Sequence, residues 1–168
     1  MKYYGAVSNT HLYGVKPEVQ ALCIKALELA GNAKRDISIV DGLRTTKEQQ
    51  ALYAKGRTQL NGVDKLSYHQ NGNAIDFTPF VNWQRFKFVG RLTGNSNQVS
   101  QLVKVTGLSS TQVWERVHRE FHGTAMFFYL AAHELGYKIT WGGDWNNDGC
   151  TLDNNFEDLG HIQFEGLV

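Results

Sequence analysis

His69, Asp76 and His161 are side chains of the kind that hold a divalent metal through nitrogen and oxygen, and Asp158 stands three residues before the last of them. A catalytic zinc ion takes three such protein ligands, keeps a fourth position for water, and works beside a carboxylate able to accept that water's proton. His69 and Asp76 are seven residues apart with Gly72 between them, so the chain can turn from a loop ligand to a strand ligand. Asp158 connects to His161 across a turn containing Gly160. Taken singly, each of these residues is more often an ordinary hydrogen-bonded or solvated group than a ligand. The joint pattern is what points to hydrolysis at a metal.

The elements that must position these groups follow from periodicity. Pro17 and Glu18 open a segment whose apolar residues Val19, Leu22, Cys23, Ala26, Leu27 and Ala30 recur at helical spacing, and Gly31 is the expected stop. A short strand is expected over 37–40. Thr45 with Glu48 makes a capping-box pattern for a second helix ending at Gly56. Residues 73–77 alternate as a strand does, with Ile75 and Phe77 on one side and Ala74 and Asp76 on the other. Residues 124–135 read as an apolar helix stopped by Gly136, followed by strands over 137–141 and 161–164. In the last strand Ile162 and Phe164 point to the core, leaving His161 and Gln163 on the opposite face. The stretch 81–122 is polar around 90–98 and helical in pattern only over 110–121. Short strands mixed with separate helices argue for an α+β domain.

Residues 67–76 read Ser-Tyr-His-Gln-Asn-Gly-Asn-Ala-Ile-Asp. They match the S-x-H-x-x-G-x-A-x-D signature of the zinc D-Ala-D-Ala carboxypeptidase and L-alanyl-D-glutamate endopeptidase family. Gly42-Leu43-Arg44-Thr45, followed by Gln50, Leu52, Tyr53 and Gly56, resembles that family's G-x-R-T helix opening. Trp141-Gly142-Gly143-Asp144-Trp145 resembles its W-G-G-D-W stretch, and Asp158-Leu159-Gly160-His161 its acid-x-x-His end. The resemblance covers about residues 15–80 and 123–165 and is nearest in kind to phage endolysins that cut between L-Ala and D-Glu. It implies a small antiparallel sheet flanked by helices, of the D-Ala-D-Ala peptidase and hedgehog type, with zinc on the open sheet face. Carried over by position, it makes His69, Asp76 and His161 the zinc ligands and Asp158 the general base. Arg44 becomes a residue that stabilises the oxyanion or grips the substrate, which suits a permanently charged planar donor fork, and Ser67 becomes a supporting hydrogen-bonding residue. The implied partner is bacterial peptidoglycan.

Family members acting on D-Ala-D-Ala usually carry Glu at the base position, so Asp158 tilts the expectation toward the L-Ala-D-Glu bond, with a D,D-carboxypeptidase as the alternative. A non-catalytic, zinc-stabilised wall-binding module is the alternative of another class, and an acid at 158 argues against it. Glu157 is adjacent to the base but is expected to point elsewhere. The stretch 81–122 is longer than the family pattern requires and reads as an insertion within one catalytic domain spanning 1–168. It carries His118 and His122 at i, i+4, a pair that could share a metal but lacks the H-E-x-x-H arrangement. Asp144, Asn146 and Asp148, with Asp153 beyond, have the oxygen-ligand spacing that opens a calcium loop, although position twelve of that loop is Asn155 rather than Glu.

Lys and Arg total 17 against 16 Asp and Glu, giving a formal charge of +1, and no basic run points to nucleic acid or an anionic membrane. No apolar stretch is long enough for a membrane span or a secretory leader, so a chain made in the host cytoplasm is expected, reaching the wall once the inner membrane is opened; a monomer is the separate expectation for its assembly. Cys23 and Cys150 are expected to be free thiols.

Overall fold

The computed structural model describes residues 5–93, 95–151, 153 and 156–168. Their element order is α1 (Ala6–Leu12), α2 (Pro17–Asn32), β1 (Asp36–Asp41), α3 (Thr46–Ala54), a 3-10 turn (Tyr68–Asn71), β2 (Ala74–Trp83), a second 3-10 turn (Gln84–Phe86), β3 (Phe88–Arg91), α4 (Ser96–Thr106), α5 (Ser110–Leu135), β4 (Tyr137–Trp141) and β5 (His161–Leu167). The strands form one sheet in the order β1-β2-β5-β4, every pair antiparallel. β2 is its spine, pairing with β5 through residues 74–76, with β1 through 76–80 and with β3 through 80–83. The α+β architecture expected from the sequence is therefore the one observed.

The buried face of the sheet follows from strand alternation. Ile75, Phe77 and Ile162 are almost fully buried, with Ile37 and Ile39 of β1 beside them. α2 and α5 pack on each other and on this layer, and Phe128 of α5 meets the Phe77 ring at 5.0 Å. Cys23 is buried in the α2 stripe and Cys150 is exposed, and neither is in a disulfide among the described residues. The opposite face carries the polar groups at 76, 161 and 163.

Several boundaries differ from the sequence expectation. α2 continues through Gly31 to Asn32, because the next residue caps the helix by ordinary backbone bonds to Leu29 and Gly31. The segments 110–121 and 124–135 are one helix of 26 residues, α5, opened by a Ser109–Gln112 capping box and closed by left-handed Gly136. Gly123 does not interrupt it, since α5 packs against α2, α4, β2 and β4 along its length. The stretch 81–122 is ordered into the end of β2, β3, α4 and the first half of α5. α1 has no counterpart in the sequence reading: buried Ser8 accepts from the Ile39 backbone N–H at 3.1 Å and ties the helix to β1.

Candidate active site

The antiparallel register of β2 and β5 sets Asp76 directly opposite His161. Cross-strand partners share a face, so a carboxylate and an imidazole 85 residues apart meet on the open side of the sheet. His69 arrives from the 3-10 turn just before β2. Gly72 ends that turn at φ 67°, a left-handed conformation that a residue with a Cβ adopts only at a cost, and it reverses the chain so that His69 leans over Asp76. The Ser67 hydroxyl caps the turn by accepting from the His69 backbone N–H, and Gln70 returns the bond to the Ser67 N–H.

The three donor atoms converge. His69 Nε2 is 3.2 Å from His161 Nδ1 and 3.3 Å from Asp76 Oδ1, and His161 Nδ1 is 3.2 Å from the same oxygen. Both imidazoles are buried. Tetrahedral bonds of about 2.0–2.1 Å would space ligand atoms roughly 3.3 Å apart, which the triangle matches. Proton placement supports the same occupant. His69 Nδ1 lies 2.8 Å from the Gly42 carbonyl, which can only accept, so the neutral ring carries its proton there and its Nε2 is bare. His161 Nε2 faces Gln163 Oε1 at 3.2 Å, which likewise leaves Nδ1 bare. In these tautomers two nitrogen lone pairs and a carboxylate oxygen meet, and a cation satisfies all three; without one, a proton shared with Asp76 takes its place. Among the described residues this is the one group of three or more His, Cys, Asp or Glu side chains whose ligand atoms lie within 4.8 Å of one another.

Electrostatics agree with that reading. Burial by itself would raise the Asp76 carboxyl, yet the hydrogen bonds of His161 and His69 hold it well below the ordinary carboxylate range. Burial pulls His161 down, but the Asp76 carboxylate more than offsets this and lifts it. Absent an ion, a proton is what the pocket draws in.

Asp158 is placed by its backbone. Its N–H donates to the Gly142 carbonyl at 2.9 Å, its carbonyl accepts from the His161 N–H at 2.9 Å, and the Gly142 N–H donates to the His161 carbonyl at 2.9 Å. A Cβ on Gly142 would lie 2.3 Å from the Asp158 carbonyl oxygen, so the close approach demands glycine. Two indoles brace the same segment: Trp141 Nε1 donates to the Leu159 carbonyl at 2.8 Å and Trp145 Nε1 to the Phe156 carbonyl at 2.9 Å. Burial, and next the Asp76 charge nearby, raise the Asp158 carboxyl above its usual range, while His161, His69 and Arg44 partly counter this. Glu157 instead approaches His118 Nε2 at 3.9 Å, away from the ligand triangle.

Arg44 is largely buried, its guanidinium donating to Gln49 Oε1 at 2.8 Å and to Asp41, with Asp76 Oδ2 at 3.8 Å. Its backbone N–H also donates to the His69 carbonyl at 3.1 Å. His118 and His122 lie with ring centroids 6.1 Å apart and take no part in the described metal group; His122 packs edge-on against Trp141. In the 144–153 loop, Asn146 Nδ2 lies 3.0 Å from Asp148 Oδ2 and 3.3 Å from Asp153 Oδ2. Asp144 Oδ2 accepts from the Gly149 N–H at 3.1 Å, while its Oδ1 is buried without a hydrogen-bond partner among the described residues. Asn155 lies outside the described residues.

Sequence reasoning did not single out the Gly42 carbonyl, Asp41, Gln49, Gln163 or the tryptophan indoles as supports. Gly42 and the two tryptophans stood inside the quoted motifs, but only the folded geometry shows which of their atoms touch the site.

The family profile described as phage L-alanyl-D-glutamate peptidase matches residues 1–92. The chain is 31% identical over 163 residues to the L-alanyl-D-glutamate peptidase of Escherichia phage T5, covering 95% of this chain and 96% of that one. It is 27% identical over 139 residues to the peptidoglycan L-alanyl-D-glutamate endopeptidase CwlK of Bacillus subtilis (strain 168), covering 80% of this chain and 64% of that relative. In fold it resembles the crystal structure of the Serratia marcescens L-Ala D-Glu endopeptidase ChiX, with a TM-score of 0.60 at 21% identity over 96% of this chain and 89% of the other.

Proposed function

The chain belongs to the phage L-alanyl-D-glutamate peptidase family, and from that premise we propose that it cuts the L-alanyl–D-glutamate bond of peptidoglycan stem peptides as a phage endolysin. Zinc is the metal proposed, held by His69 Nε2, Asp76 Oδ1 and His161 Nδ1. The observation that carries this reading is the convergence of two imidazole nitrogens and a carboxylate oxygen 3.2–3.3 Å apart. When bound, zinc acidifies water and polarises a carbonyl oxygen.

The chain's own residues supply the rest. Asp158 accepts the proton of the attacking water and returns it to the leaving amine, a transfer worth about 100- to 10,000-fold. Its raised affinity for protons suits a group that must both take and give one. Arg44 fixes Asp76 and contributes a permanent positive charge beside the negative charge that grows on the attacked carbonyl. Asp41 and Gln49 hold its fork in one orientation. Ser67 and the Gly42 carbonyl set the pose of His69. Digesting purified peptidoglycan and identifying the new termini tests the bond: fresh D-Glu amino termini are expected, whereas release of D-Ala without them contradicts the proposal.

Gly142→Ala probes the placement of the base. The added methyl displaces the Asp158 backbone, and a misplacement of about 1 Å costs roughly 100-fold in rate. The expected result is a fall of that order in kcat with zinc content unchanged; wild-type kcat would contradict it.

Calcium is proposed as a second, ordering cation in the 144–153 loop. The buried Asp144 oxygen, which has no hydrogen-bond partner among the described residues, and the cluster of Asn146, Asp148 and Asp153 support it. The loop joins Trp145, whose indole braces Phe156, to the base-bearing segment. Titration with calcium is expected to raise activity and change Trp fluorescence together, and no response at millimolar calcium removes the idea.

A further inference from the structure

We infer that Glu165, a surface carboxylate remote from the reacting atoms, fixes the tautomer of His161 through Gln163, and that Tyr68 locks this relay to the segment carrying His69. The inference rests on the reading of His161 as a metal ligand through Nδ1.

His161 and Gln163 share one face of β5, and a bulge that leaves Glu165 unpaired between Phe164 and Gly166 brings its carboxylate to Gln163. His161 Nε2 faces Gln163 Oε1 at 3.2 Å, Gln163 Nε2 donates to Glu165 Oε1, and the Tyr68 hydroxyl donates to Glu165 Oε2 at 2.9 Å. A carboxylate only accepts, and here both its oxygens take a donor. The Gln163 amide must therefore turn its NH2 to Glu165 and its oxygen to His161. An oxygen facing Nε2 accepts the imidazole proton there and favours the tautomer that offers Nδ1 to an ion shared with His69 Nε2 and Asp76 Oδ1, against the pull of the Asp76 carboxylate, which accepts an Nδ1 proton when no ion is bound.

The two ends of a glutamine amide have nearly the same shape, so packing does not choose between them. Charge does. Turned round, the amide would offer N–H to Nε2, drive the imidazole proton to Nδ1 and fill the metal position with hydrogen. Tyr68 adds a second constraint, because its bond to Glu165 spans 97 residues and joins the residue next to His69 to the strand of His161. The partner that takes a ligand histidine's second N–H is commonly worth 10- to 100-fold in metal affinity or activity. Gln163, Glu165 and Tyr68 are thus positioning residues.

Reversing the relay tests it. In Glu165→Lys the ammonium donates to Gln163 Oε1 and turns the NH2 toward His161. Nitrogen-15 imidazole spectra of zinc-free protein at alkaline pH are expected to show a larger share of the His161 proton on Nε2 in the wild type than in Glu165→Lys, where it moves to Nδ1. Zinc affinity, read by competition with a chromophoric chelator, is expected to fall about 10- to 100-fold in the variant. Adding Gln163→Glu restores an acceptor facing Nε2, paired with the new lysine, and is expected to recover both tautomer and affinity. A generic effect of surface charge or stability would not be rescued in this way. Wild-type tautomer and affinity in Glu165→Lys overturn the relay alone. A wild-type His161 signal that does not move when zinc is added overturns the metal reading and the relay with it.

Discussion

Asp158→Ala is expected to retain its metal and lose about 100- to 10,000-fold in kcat on peptidoglycan fragments, the range for removing a general base. The substitution is clean because the turn that positions residue 158 is built from backbone groups. Its N–H bonds Gly142, its carbonyl bonds His161, and alanine keeps both. The ligand triangle draws on no atom of the Asp158 side chain. Glu157→Ala is the control: its carboxylate lies toward His118, so the variant is expected to keep near wild-type kcat. Stopped assays on a defined muropeptide, with zinc counted per chain, check both. Equal lysis by Asp158→Ala and wild type would contradict the base assignment.

His161→Ala is expected to lose the metal as well as the rate. It removes the side chain that faces both His69 Nε2 and Asp76 Oδ1, and two remaining donors do not hold a catalytic zinc ion. Losing about 4 kcal/mol of charge stabilisation from the metal alone corresponds to roughly a thousandfold in rate. Stability should follow. A ligand present at about 1,000 times its dissociation constant stabilises the folded state by roughly 4 kcal/mol, so chelation should lower the melting temperature of the wild type and leave His161→Ala unchanged. Thermal unfolding with and without a chelator makes the comparison. A chelator response in His161→Ala equal to the wild type's would place the metal elsewhere.

How much of this was legible in sequence depended on the distance over which each feature is decided. The Thr45–Glu48 capping box and the alternation around Asp76 are local, and both appear as expected. α1 is only seven residues long, and it is held to β1 by a Ser8 bond across 31 residues that no local pattern announces. α4 is rich in Ser, Asn and Gln, and buries only Val99 and Leu102, which weakened its apolar period. α5 hid its continuity behind Gly123, where long-range packing overrides intrinsic propensity. At the site, residue types and the family-like motif named the three converging side chains. The orientation of each ring did not follow from them, because it depends on the Gly42 carbonyl for His69 and on Gln163 for His161. Such partners are set by strand register and turn geometry rather than by neighbours in the chain.

The central claim is that two imidazoles and one carboxylate share a single ion. A zinc-edge anomalous difference map from crystals of the purified, active protein measures this directly. The account predicts one strong peak about 2.0–2.2 Å from each of His69 Nε2, Asp76 Oδ1 and His161 Nδ1. A peak at His118 and His122 instead, or no peak at the triangle in protein that still cuts peptidoglycan, would contradict it.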